Sequence, residues 1–145
     1  MRQARPADLE DLLALEARCF AQTEGLFSRR QLRYLLASPH CAWLISGRFE
    51  GAICLLVAGN GRGRWGRLYS LAVDPAHRNQ GIARRLLDAS FAWFRGQGVA
   101  VVRAEVKSDN RAARRLYASL GFEEQETLPD YYGRGHPGVK LYRRL

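Results

Sequence analysis

Lysine is nearly missing from this chain. It stands only at positions 107 and 140, so nearly all of the 23 basic residues are arginine, and with 14 acidic residues the formal charge is +9. A positive field of this kind attracts nucleic acid, acidic substrates or polyphosphate ligands, and a solvated arginine-rich surface produces it equally well. Cysteine is also scarce: Cys19, Cys41 and Cys54 are odd in number and form no CxxC pair. That spacing points to neither a disulfide framework nor a zinc site, and a reducing cytoplasm with no metal is the expectation. No apolar run approaches the roughly 20 residues that span a bilayer. The opening stretch MRQARPADLEDLLALEARCF is charged throughout and lacks a signal-peptide core and cleavage site. With no linker, low-complexity tract or internal repeat, residues 1–145 are expected to form a single domain.

Two hydrophobic periods are present. After a short strand within Met1–Arg5, ADLEDLLALEARCF carries Leu9, Leu12, Leu13, Leu15 and Phe20 at roughly helical spacing. SRRQLRYLLA places Ser28 and Gln31 at capping-box distance, with Leu32, Leu35 and Leu36 on one face. The period then shortens: CAWLIS and GAICLLVA read as a β-hairpin, and RWGRLYSLAV as a third strand after the loop GNGRG. Helical spacing resumes over Ile82–Arg95 and is stopped by Gly96 and Gly98. VAVVRAEV reads as a buried strand, NRAARRLYASLGF as a helix, and two short strands follow around Glu123–Thr127 and Val139–Arg143. The fold class is α/β with a mixed sheet, and its strand-helix-strand unit from Leu68 to Val106 is expected to be parallel and right-handed.

DPAHRNQG lies between the strand ending at Val73 and the helix starting near Ile82. A helix N-terminus leaves about four backbone N–H groups without partners and carries partial positive charge, so it suits a phosphate. Gly81 removes the Cβ that would block close approach, Ala83 keeps the approach open, and Arg78, Arg84 and Arg85 add charge. As a bare pattern, Arg-x-x-Gly-x-Ala fits an ordinary helix cap as well.

RNQGIA after LYSLAVDP, followed by EVKSDNRAARRLYASLGF, resembles the GNAT superfamily of acetyl-CoA-dependent N-acetyltransferases. The second block is similar to the Glu-Val-x-x-x-Asn…Leu-Tyr-x-x-x-Gly-Phe pattern of the RimI-like subgroup, the ribosomal-protein alanine N-acetyltransferases. The resemblance implies a twisted mixed sheet of about seven strands with about four helices, splayed between the fourth and fifth strands. It implies acetyl-CoA as co-substrate, held by the backbone of Leu71, Ala72 and Val73 along the pantetheine arm. Arg78, Asn79, Gln80, Gly81, Ile82, Ala83 and Arg84 would hold the pyrophosphate, and the Asn110 side chain would add a contact.

Acetyl transfer to an amine needs a neutral amine, stabilisation of the oxyanion and a proton for the leaving thiolate. Glu105 matches the subgroup's general-base position, its alternative being a strand-end glutamate paired with an arginine. Tyr117, seven residues after Asn110 and so on the same helical face, matches the acid. A backbone N–H near Val73 is expected to meet the oxyanion. No cysteine falls in these blocks, which favours direct attack over an acetyl-enzyme.

The expected acceptor is a primary amine, foremost a protein or peptide N-terminus. Neutralising an α-amine at pH 7 costs about 1 kcal/mol against nearly 4.6 kcal/mol for lysine. Tyr131 and Tyr132 match the subgroup's Tyr-Tyr pair, but GRGHPGVKL replaces the acidic segment and Asp-Ala that commonly follow. A lysine, a small-molecule amine or an acidic N-terminus therefore stays open as acceptor, and the arginine-rich loop GNGRGRWGR is a candidate contributor to that choice. The competing class is a non-catalytic basic module binding RNA or CoA, for which GRGRWGRLY is the only suitable stretch. No membrane or nucleic-acid partner is expected, and the chain is expected to be a monomer or homodimer.

Overall fold

The computed structural model describes residues 1–20, 27–60 and 62–145. Seven strands and four α-helices alternate in the order β1 (Arg2–Gln3), α1 (Leu9–Cys19), α2 (Arg29–Ala37), β2 (Cys41–Ser46), β3 (Gly51–Asn60), β4 (Gly63–Val73), α3 (Ile82–Gly96), β5 (Val99–Lys107), α4 (Arg111–Ser119), β6 (Glu123–Leu128) and β7 (Gly138–Arg144). They form one sheet in the order β1-β2-β3-β4-β5-β7-β6, antiparallel throughout except for the parallel β4/β5 pair. The mixed α/β sheet inferred from sequence is therefore present.

Helix boundaries follow local chemistry. The Ser28 hydroxyl accepts the Gln31 N–H at 3.1 Å while the Gln31 side chain accepts the Ser28 N–H at 2.8 Å, so the capping box starts α2. At α4 the Asn110 side-chain oxygen Oδ1 accepts from the Ala113 N–H at 3.1 Å. Gly98, with φ +73°, follows α3 in the left-handed region that favours glycine.

The sheet has a core on each face. On one side Leu68, Leu86, Phe91, Phe94, Val102, Ala104 and Leu141 pack under α3 and α4. On the other Leu12, Leu15, Leu32, Trp43, Ile45, Cys54 and Ala72 pack under α1 and α2. Helix α3 approaches β4 closely because Gly66 has no side chain: a Cβ there would stand 2.4 Å from Phe94 Cε1.

A bulge in β4 changes which residues face which core. Opposite it Cys54 pairs with Ser70 and Leu55 with Leu68, so Tyr69 is the extra residue. Before the bulge Leu68 faces α3; after it Ala72 faces α1 and α2, while Leu71 and Val73 pack toward α3.

The arginine-rich stretch GNGRGRWGR is a correction. It is strand rather than long loop, since β3 runs to Asn60 and β4 begins at Gly63; Gly61 lies outside the described residues. Alternating Gly and Arg obscures the strand period, whereas pairing with β3 as far as Asn60–Gly63 fixes it. The Trp65 ring is covered by the Arg103 guanidinium at 4.6 Å, so one face of the stretch's only tryptophan is occupied by its own chain.

Candidate active site

The parallel pairing of β4 and β5 runs from Arg64–Val99 to Leu68–Ala104 and stops there, although β4 continues to Val73 and β5 to Lys107. Past the last pair the strands part around a cleft of about 580 Å³. Its walls include Leu71 from β4, Glu105 from β5, Asn110, Leu116 and Tyr117 from the α4 segment, Glu16 and Cys19 from α1, and Tyr131 and Tyr132 from the β6–β7 connection. The sequence candidates Glu105, Tyr117, Asn110 and Leu71 thus meet in one place.

Glu105 points to the face opposite the buried Val102, Ala104 and Val106, because strand side chains alternate. Its side chain is 15% exposed and its Oε2 accepts from Arg67 Nε at 3.1 Å. Glu105 therefore stands in the cleft and is paired with an arginine, the second of the two readings.

Tyr117 is buried, its ring edge-on to Phe122 at 5.1 Å between centroids. No described residue hydrogen-bonds its phenol. Burial, with Tyr132 and Glu105 adding to it, pushes the phenol well above its ordinary range, so it stays protonated at neutral and mildly alkaline pH. Asn110 keeps its amide N–H groups for the cleft while its oxygen caps α4.

The segment 78–84, a loop that runs into the first turn of α3, lies outside the cleft lining, beyond the end of β4. Asn79 at φ +63° and Gly81 at φ +77° are both left-handed. Gly81 is the N-cap of α3 and offers no side chain, so the N–H groups of Ile82, Ala83 and Arg84 have no partner among the described residues. The arginines brace the loop: Arg78 Nε donates to the Val73 carbonyl at 3.3 Å, Arg84 Nη2 to Ser119 Oγ at 2.8 Å and Arg85 Nη1 to the Gln80 carbonyl at 3.0 Å. The three bare amides are thus free donors for an anion.

Val73 also accepts from the Cys19 thiol at 3.3 Å. A strand residue's N–H and C=O point to the same side, so Val73 and, by alternation, Leu71 turn their backbone groups away from β3, while Ala72 turns its own toward β3.

These features place the chain in a known family, whose model matches residues 8–122. The chain belongs to the acetyltransferase (GNAT) family. It is 35% identical over 137 residues to the N-alpha-acetyltransferase RimI of Mycobacterium tuberculosis, covering 87% of this chain and 79% of that protein. It is 42% identical over 65 residues to the ribosomal protein bS18-alanine N-acetyltransferase of Escherichia coli, covering 45% of this chain and 44% of that enzyme. The match spans less than half the length of several of these curated relatives, the Escherichia coli enzyme among them. Its fold is that of Arabidopsis thaliana NAA60, solved in complex with acetyl-CoA, with a TM-score of 0.85 at 18% identity over 99% of this chain and 97% of that one. The RimI-like resemblance and the splayed GNAT sheet inferred from sequence are both borne out.

Against the GNAT motifs, three cleft residues escaped the sequence reading. Arg67 stands one residue before the end of the β4/β5 pairing, a position visible only once the register is known. Glu16 is 3% exposed and accepts from Ser70 Oγ at 3.4 Å; burial raises its carboxyl above the usual glutamate range, against the Phe27 N–H and Ser70, which lower it. Cys19 also reaches the cleft, its thiol pushed up chiefly by burial, which disfavours the thiolate needed for nucleophilic attack. Among the described residues no helix is long and apolar enough to cross a membrane.

Proposed function

We propose that this chain transfers the acetyl group of acetyl-CoA to a primary amine, the α-amine of a protein or peptide N-terminus, by direct attack. The observation that carries the reading is the meeting of Glu105 and Tyr117 in one cleft where β4 and β5 part.

The residues present suit the nucleotide thioester. The partnerless N–H groups of Ile82, Ala83 and Arg84 at a helix N-terminus suit its pyrophosphate, with Arg78, Asn79, Gln80 and Gly81 shaping the approach. Leu71 and Val73 turn backbone groups to the side on which the pantetheine arm would lie, Ala72 keeps β4 on β3, and Asn110 offers its amide. When bound, acetyl-CoA supplies an activated acyl carbon and a thiolate leaving group.

Glu105 takes the amine proton, directly or through water. The Val73 N–H is aimed at the developing oxyanion. Tyr117 donates to the departing sulfur. A phenol at its ordinary pKa of about 10 and a thiol near 8.5 differ by about 1.5 pK units, so full proton transfer is uphill by about 2 kcal/mol, more with the phenol raised. Tyr117 therefore acts first as a hydrogen-bond donor to developing charge. Cys19, held as a hydrogen-bonded thiol, leaves the amine to attack directly.

An α-amine suits this machinery because Arg67 already claims part of the Glu105 charge, and a single shared carboxylate more readily handles the about 1 kcal/mol of an α-amine than the 4.6 kcal/mol of a lysine. Titration calorimetry with acetyl-CoA tests the first half of the reading. Binding is expected, and no heat even at millimolar cofactor would remove it.

A further inference from the structure

Arg67 lines the cleft and is held by three neighbours. Nε donates to Glu105 Oε2 at 3.1 Å, Nη2 donates to the Tyr131 hydroxyl at 3.0 Å, and the guanidinium lies 4.9 Å from the centroid of the Tyr69 ring. Its side chain is nonetheless 30% exposed, and Nη1 has no partner among the described residues. A guanidinium has five N–H donors, and the end bearing Nη1 and Nη2 is the edge that fits a carboxylate bidentately. Because neighbours already fix the orientation, little side-chain freedom is lost when an anion docks.

The pairing of Arg67 with Glu105 gives this edge a purpose. At rest the Arg67 charge is matched by Glu105. When Glu105 takes the amine proton it becomes a neutral acid, the proton having moved from nitrogen to carboxylate oxygen, and Arg67 loses its counter-charge in a half-buried place. Among the described residues Glu16 is the other carboxyl in the lining, and it accepts from Ser70 Oγ on the α1 side, away from Arg67 in this hydrogen-bond pattern. A carboxylate brought by the acceptor restores the balance. By competing for Arg67 it also leaves the Glu105 carboxylate free to turn to the amine.

The geometry points to Arg67 as a specificity-determining residue that selects acceptors carrying a carboxylate within their first two residues and links that carboxylate to proton removal by Glu105. The inference rests on the acetyl-transfer reading above. The segment GRGHPGVKL that follows Tyr131 and Tyr132 carries Arg134 and Lys140 and no acidic residue, in line with an acidic acceptor.

The test compares peptides of common sequence that begin Ala-Asp or Ala-Asn, and Asp-Ala or Asn-Ala, using the intact chain, acetyl-CoA and thiol release as the readout. For at least one position the acid should exceed its amide isostere by about tenfold in kcat/KM, the scale of a charge-assisted hydrogen bond, with the gain mainly in kcat. Arg67→Gln should bring the two within about twofold, whatever it does to the absolute rate. Should that variant fail to fold, Arg67→Lys keeps the charge but not the fork, and the preference should fall several-fold. Equal rates for acid and amide in the wild type would overturn the proposal, as would a preference that survives Arg67→Gln. If acetyl-CoA binds but no peptide is acetylated, the acetyl-transfer reading itself falls and takes this inference with it.

Discussion

Replacing Tyr117 by phenylalanine removes a single oxygen from the wall of the cleft. The ring keeps its edge-on contact with Phe122 and its place in the α3/α4 core. Since no described residue hydrogen-bonds the phenol, its loss leaves no partner stranded, and stability should change by less than about 1 kcal/mol. The kinetic effect should be far larger. A hydrogen bond to a charged group contributes about 1.5–3 kcal/mol, which corresponds to a fall in kcat of about 10- to 150-fold if the bond forms only as thiolate charge develops. Burial, Tyr132 and Glu105 all push the phenol upward, so the wild-type rate should show no alkaline decline from Tyr117 near neutral pH, and the defect should be flat there. Thiol release at saturating acetyl-CoA and acceptor measures kcat, while calorimetry should find acetyl-CoA affinity within about twofold of wild type. A variant whose kcat also stays within about twofold would refute the assignment of Tyr117 to the leaving group.

Three other outcomes follow from named groups. Glu105→Gln should lower turnover by about 10²–10⁴ near neutral pH, and the gap should narrow above about pH 8, where an α-amine of pKa about 7.8 sheds its proton unaided; a constant gap across the pH–rate profile would contradict the base role. Gly81→Ala puts a side chain at φ +77°, a strain of about 1–2 kcal/mol, and should weaken acetyl-CoA binding by about tenfold in calorimetry. Burial raises the Glu16 carboxyl in the folded chain, so the stability it carries is complete below its ordinary pKa of about 4.3 and is lost as pH rises toward the raised value. Glu16→Gln should therefore raise Tm at pH 7 but not at pH 4, read by thermal melts.

Much of this architecture is legible in the sequence because it rests on short-range chemistry. The Ser28/Gln31 box, the change from helical to alternating period at Cys41, and the glycines after α3 act within a few residues. Glu105, Asn110 and Tyr117 are likewise legible together, because a strand end, a helix cap and two helical turns fix their separation. Long-range pairing hides the rest. The position of β7 between β5 and β6, the bulge at Tyr69 and the end of β4/β5 pairing at Leu68–Ala104 have no local signal, yet they bring Arg67 to Glu105. Glu16 and Cys19 sit in a helix that its leucine spacing identifies only as a helix, and packing of α1 on β4 turns them into the cleft. The alternating Gly and Arg of residues 59–67 imitate a loop where an extended hairpin forms.

The central claim is acetyl transfer to an α-amine. It is tested most directly by incubating the chain with acetyl-CoA and a peptide that carries a free, acidic N-terminus and one internal lysine, then locating the product by tandem mass spectrometry. The account predicts the acetyl group on the α-nitrogen, with the lysine unmodified. Labelling confined to the lysine, or none on a peptide whose N-terminus is free, would contradict it.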